Sequence, residues 1–185
     1  MGRRIRNVPP HWQHPEVDRA YGRIGPQPMF DETFAEAVVE WKAGFTKWES
    51  GNDPDREEYK RDDGSYLEYW EWNNPPPDRA YYRPWKDEEA TWFQLWETVS
   101  EGTPVSPPFA TKEELAAYLA EHGDFWDQKR CKEPDWASLW GGEPGKSGWG
   151  RERAERFVFG SGWSPSMAVI DGKVLTNPGD IEGAH

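Results

Sequence analysis

The sequence predicts an α+β fold: a small antiparallel sheet, including a C-terminal hairpin, packed with three or four helices. Three observations carry this reading. Phe34, Val38, Trp41, Phe45 and Trp48 recur at spacings of four, three, four and three, which places them on one stripe of a helix. Residues 90–99 alternate instead, with Phe93, Leu95 and Val99 on one face and Trp92, Trp96 and Thr98 on the other. Asp171-Gly172 lies between Met167 and Thr176, a strong short-range hairpin signal.

The elements follow in order. Residues 1–29 hold Pro9, Pro10, Pro15, Pro26 and Pro28 with Gly22 and Gly25. Proline at that density opposes helix and central strand, so an extended, basic, Pro-rich arm is expected, lying on the domain through Val8, Trp12 and Tyr21 or staying loose. A single acidic, Trp-rich domain is expected over 30–176 and a frayed tail over 177–185. The helix over 31–49 starts at Asp31 as N-cap, or at Thr33 with Glu36 as a capping box, and Gly51-Asn52 ends it. Asp53-Pro54 opens a second helical stretch to Asp63, which Gly64 breaks. Ser65 with Glu68 then caps Tyr66 to Trp72, and Asn74-Pro75-Pro76-Pro77 stops the chain. Bulk on both faces of 90–99 marks a strand that is central or covered on both sides. Thr111 with Glu114 caps a helix whose Leu115, Tyr118, Leu119 and His122 share a face, Gly123 ends it, and Phe125 and Trp126 fold back on it. Residues 141–150 read as a flexible loop and 151–159 as a last helix with Ala154, Phe157 and Val158 inward. The hairpin strands are expected to pair with 90–99.

Composition narrows the function classes. No apolar run approaches the roughly 18 residues of a membrane helix, so no membrane association is expected. The start, Met1-Gly2-Arg3-Arg4-Ile5-Arg6, is basic without an apolar region behind it, unlike a signal peptide. The single cysteine, Cys131, excludes an internal disulfide. The net charge of −12 is uneven: residues 1–30 carry +3, residues 151–185 carry −1, and the middle carries −14. That field repels nucleic acid and attracts basic surfaces.

His11, His14, His122 and Cys131 are soft metal ligands too scattered for the three or four converging ligands of a zinc site. Cys131 lies between Arg130 and Lys132, a basic setting that suits a reactive thiol, but no partnered histidine is marked by spacing. Gly145-Lys146-Ser147 ends like a phosphate-binding loop, but Trp140 stands where the first glycine belongs. No catalytic residue, metal or cofactor is expected. Aromatics interleaved with carboxylates remain: Glu68, Trp70, Glu71, Trp72, Tyr81, Tyr82, Trp85, Asp87 and Glu88 are the candidate partner-binding residues, since Trp and Tyr dominate interface hot spots. A small aromatic core with an acidic rim would produce the same pattern. Arg3, Arg4 and Arg6 are weak candidates for phosphate contact, so nucleic acid would be touched only through the N-terminal arm.

Met1 to Trp12, Tyr81-Tyr82-Arg83-Pro84-Trp85, the stretch Gln94 to Thr111 with its Trp96-Glu97-Thr98-Val99-Ser100-Glu101-Gly102, and Gly162-Trp163-Ser164-Pro165-Ser166 resemble a group of uncharacterised proteins of tailed bacteriophages and prophages. The resemblance implies a phage origin and expression in the cytoplasm of a bacterial host. It carries over no catalytic residue. Some similar proteins hold Cys-x-x-Cys pairs in their first half, and this chain has none there. The expected function is a phage accessory protein that binds a host protein, basic or nucleic-acid-handling, through an acidic aromatic surface, with anti-defence DNA mimicry as a sharper version. A minor virion or assembly component and a small-ligand binder or enzyme without a recognisable motif are the alternatives.

Overall fold

The computed structural model describes residues 2–19, 22–98, 102–132, 145–164, 168–170 and 172–175, and it is mixed α+β. Along the chain run β1 (Arg3–Val8), the hairpin β2 (Glu16–Arg19) and β3 (Arg23–Pro26), then β4 (Phe30–Thr33), α1 (Phe34–Glu49), α2 (Tyr69–Trp72) and β5 (Tyr82–Arg83). After these come β6 (Trp92–Glu97), β7 (Thr103–Pro104), α3 (Lys112–His122), α4 (Phe125–Arg130), α5 (Arg151–Phe159), β8 (Trp163–Ser164), β9 (Ala168–Ile170) and β10 (Lys173–Leu175). They form two compact units, Met29–Pro84 and the remainder, Met1–Pro28 with Trp85–His185, where the sequence suggested one domain over 30–176.

In the larger unit the sheet order is β7-β6-β1-β8, antiparallel throughout. Residues 1–29 are therefore not simply an arm, because β1 lies inside the sheet, with Arg3 opposite Glu97 and Val8 opposite Trp92. The prolines stay out of β1: Pro9, Pro10, Pro15 and Pro28 lie between elements and Pro26 closes β3. Three arginines in six residues hide the alternation that the register reveals, with Arg3, Ile5 and Asn7 on one face and Arg4, Arg6 and Val8 on the other. The β9–β10 hairpin forms where Asp171-Gly172 placed it, but as its own two-stranded sheet; β6 pairs with β1 and β7 instead. β1 offers β6 six paired residues, whereas each hairpin strand is three residues long.

The face bearing Ile5, Phe93 and Leu95 packs on α3 and α5 through Val105, Leu115, Ala116, Leu119, Trp149, Ala154, Phe157 and Val158. This core is mostly aliphatic rather than tryptophan-built. The capping box Thr111–Glu114 starts α3 as expected, and Gly123, at φ 65°, ends it. A side chain at position 123 would collide with the Ser147 carbonyl, so glycine lets the segment leading to Trp149 pass against the helix end. Phe125 and Trp126 begin α4, where Trp126 reaches the core and Phe125 stays exposed. The expected loop over 141–150 lies partly, and the tail over 177–185 wholly, outside the described residues.

In the smaller unit α1 starts at Thr33, whose hydroxyl and Glu36 close the capping box, while Asp31 belongs to β4. The helix expected over 53–63 is one 3-10 turn, Arg56–Tyr59, because the chain bends back into the Lys60–Tyr66 bridge. Ser65 bonds Asp63 rather than capping a helix, and α2 is capped by Glu68 with Glu71. Tyr82-Arg83 forms β5, parallel to β4. The α1 stripe packs against α2, and it needs Gly44: a Cβ there would overlap the Tyr69 hydroxyl. In an open helix Gly→Ala gains up to about 1 kcal/mol. Here Gly44→Ala is expected to destabilise by about 1–3 kcal/mol in denaturant unfolding; a gain in stability would show that Tyr69 does not sit on the helix backbone.

Candidate functional site

The candidate surface is built from the aromatic packing beneath it. Trp48 is fully buried, stacks on Trp72 at 4.5 Å and 14°, and donates its indole N–H to the Leu67 carbonyl at 2.9 Å. Trp41 stacks on Phe45 and donates its N–H to the Asn74 carbonyl at 2.9 Å. These contacts grip both ends of α2. Tyr69 lies edge-on to Trp41 and Phe45, so Tyr69 and Trp72 face inward. A helix of four residues that buries those two turns Trp70 outward, where it is 46% exposed between exposed Glu68 and Glu71. Glu71 also accepts from Arg61 at 2.7 Å and from the Glu68 backbone N–H at 2.7 Å. Both side chains of that ion pair face water, so its worth is about 1 kcal/mol or less.

The charge of this unit is one-sided. Residues 29–84 hold fourteen acidic and seven basic side chains, net −7. Several of the bases are engaged within the unit: Arg61 on Glu71, Arg56 and Lys60 over Tyr66, and Arg79 over Phe34. The carboxylates feel one another. Partial burial, then the charges of Glu40 and Glu36, push the Glu32 carboxyl above its ordinary range. Glu36 itself is held low by the Thr33 hydroxyl and backbone N–H of the capping box, so it stays ionised.

The nine candidate residues are divided between the two units and differ in exposure. Glu68, Trp70, Glu71 and Tyr81 are exposed in the smaller unit. Trp72 and Tyr82 are half-buried there, Tyr82 against Phe30 at 5.1 Å. Trp85 is buried in the larger unit, T-shaped on Trp12 at 4.5 Å, and Asp87 and Glu88 are exposed in the same unit.

The arginines separate too. Arg4 is exposed, whereas Arg3 is 5% exposed and bonded to the fully buried Asp124 at 2.5 Å. Arg6 is buried with its guanidinium 4.5 Å from the Trp96 ring centroid. Two of the three phosphate candidates thus serve the interior. The register also exposes a polar row that sequence reading missed: Ser164, Arg3, Glu97 and Thr103 lie side by side across the four strands. Glu97 accepts from Thr103 at 2.5 Å and from the Trp126 indole at 2.9 Å. Above them Asp127 accepts from Trp149 and Arg130, both at 2.7 Å. Burial pushes the Asp127 carboxyl up, Asp124 adds to the push, and those donors with Arg3 oppose it. The signal was present as Asp124-x-x-Asp127 directly after Gly123, a capping pair in which each member bonds the other's backbone N–H. Chemically this row is a clasp joining β1 to α4 through the Arg3–Asp124 ion pair and the Glu97–Trp126 bond.

Among the described residues, no group of three or more His, Cys, Asp or Glu side chains gathers as a metal site would require. His11 sits against Trp92, His14 bonds Trp12 and Gln27, and the Cys131 thiol donates to the Gln128 carbonyl. None of the described helices is long and apolar enough to cross a membrane. Compared with known proteins, the chain matches no family model, no curated protein and no solved structure.

Proposed function

We propose that this chain is a non-enzymatic binding protein of phage or prophage origin that docks a basic surface of a host protein in the bacterial cytoplasm through the acidic aromatic surface of its smaller unit. One observation carries the reading: α2 spends Tyr69 and Trp72 on the interior and presents Trp70 to solvent between two carboxylates. A large ring held on an anchored helix loses little freedom on binding, which is how aromatic hot spots act. The net −7 of residues 29–84 supports a basic partner by charge complementarity. Exposed Glu68 and Tyr81 belong to the same surface reading; Trp72, Tyr82 and Trp85 support the fold instead.

The test is capture from host lysate with wild type and Trp70→Ala at low and high salt. The expected result is one basic protein, released as salt rises and recovered about 30-fold less by Trp70→Ala, the size of a 2 kcal/mol hot spot. The exposed position keeps the change in folding stability within about 0.5 kcal/mol. A partner retained at high salt, or captured equally by Trp70→Ala, would contradict the proposal.

A further inference from the structure

The sheet face opposite the helices is lined by Arg6, Val8, Trp92, Gln94 and Trp96, and the turn after β1 lies over it. Trp12 folds back through its backbone N–H to the Pro9 carbonyl, with His11 at φ 57°. His11 then meets Trp92 at 4.4 Å, Trp12 meets Trp85 at 4.5 Å, and His14 stands edge-on to Trp96 at 5.0 Å. Val8 and Trp96 are fully buried beneath.

His14 ties this turn down with both ring nitrogens. An indole N–H can only donate, so the Trp12 Nε1–H at 3.3 Å makes Nδ1 an acceptor. The proton therefore sits on Nε2, which donates to the Gln27 carbonyl at 2.7 Å. Gln27 is itself fixed by its N–H to the Pro15 carbonyl at 2.8 Å. Only the neutral ring satisfies both bonds. A second proton, on Nδ1, would face the Trp12 N–H donor to donor. It would also bring a second cation to Trp96, which already carries Arg6. Around the ring, β1 presents the Arg6 charge, β6 the uncharged Trp96, the segment after β3 the Gln27 carbonyl, and the turn itself the Trp12 indole and the other titratable ring, His11 on Trp92.

We propose that His14 is an acid-operated latch: neutral, it holds the Trp12 turn on the tryptophan-bearing face of the sheet, and protonation at Nδ1 releases it. Burial and then Arg6 hold the ring below the ordinary histidine range of 6.5, against the opposing bond to Gln27. The closed form thus takes up a proton less readily than the open form. Its advantage is complete above pH 6.5, shrinks as the pH falls below that value, and levels off once the closed form is itself protonated.

The test is an NMR titration of the whole chain from pH 7.5 to 5.0, following the His14 ring protons and the exchange protection of the Trp12 indole N–H. The expected result is a His14 midpoint below 6.5 and a fall in Trp12 protection of about fivefold, the loss of one hydrogen bond. His14→Gln, whose amide can accept from Trp12 and donate to Gln27, should hold the turn down across the range, while His11→Asn should behave as wild type. A wild-type midpoint at or above 6.5, or Trp12 protection unchanged at pH 5.0, would overturn the latch, as would the same fall in His14→Gln. The first two readouts need no variant to fold.

Discussion

Asp124→Ala should cost about 3–5 kcal/mol of stability. Asp124 is fully buried and its partner Arg3 nearly so. Removing the carboxylate takes from the buried guanidinium its Asp124 counter-charge, and takes from α4 the side chain that caps the Asp127 N–H. The asymmetry of buried pairs gives the control: the double variant Arg3→Met with Asp124→Leu should recover most of the loss, because neither charge then needs solvation. Denaturant unfolding monitored for the sheet unit measures both. A loss under about 1 kcal/mol for Asp124→Ala, the value of a solvated surface pair, would place the Arg3–Asp124 contact at the surface instead.

Trp48→Ala should cost about 3–5 kcal/mol in the smaller unit, as large buried rings do when truncated. Trp48 is buried, stacked on Trp72 and bonded to the Leu67 carbonyl, so its removal opens a cavity and loosens the end of α2. Trp48→Phe keeps much of the ring and should lose about 1–2 kcal/mol, the orphaned carbonyl and the smaller stack. The comparison with Trp70→Ala separates an interior ring from an exposed one. Trp48 should change stability and Trp70 should change binding. A small effect at position 48 would mean that the α1 stripe is not the interior of this unit.

Periodicity made the helices readable. Phe34 to Trp48 kept one face, and the capping pairs Thr33–Glu36 and Thr111–Glu114 are both present in the structure. Alternation placed β6, and its bulk on both faces matches its cover: α3 and α5 over Leu95, the Trp12 turn over Trp96. What stayed hidden depended on long-range pairing. β1 was masked by Arg3, Arg4 and Arg6, and the burial of Arg3 and Arg6 is intelligible only once Asp124 and Trp96 are beside them. The hairpin was visible from Asp171-Gly172, but its partner strand was not, since local turn chemistry says nothing about sheet order. The candidate site was legible in part. The mix of aromatics and acids marked Glu68 to Tyr82, and only packing separates outward Trp70 from inward Trp72 three-dimensionally. Trp85 looked like its neighbour in sequence but packs on Trp12 in the other unit.

The proposed docking role of the Trp70 surface is tested most directly by site-specific photo-crosslinking in the host. A benzophenone side chain is placed at position 70, and in a second protein at position 24, where Ile24 is at least as exposed but lies in the other unit. The expected result is a covalent adduct with one basic host protein from position 70 and none from position 24. No adduct from position 70, or the same adduct from both positions, would contradict it.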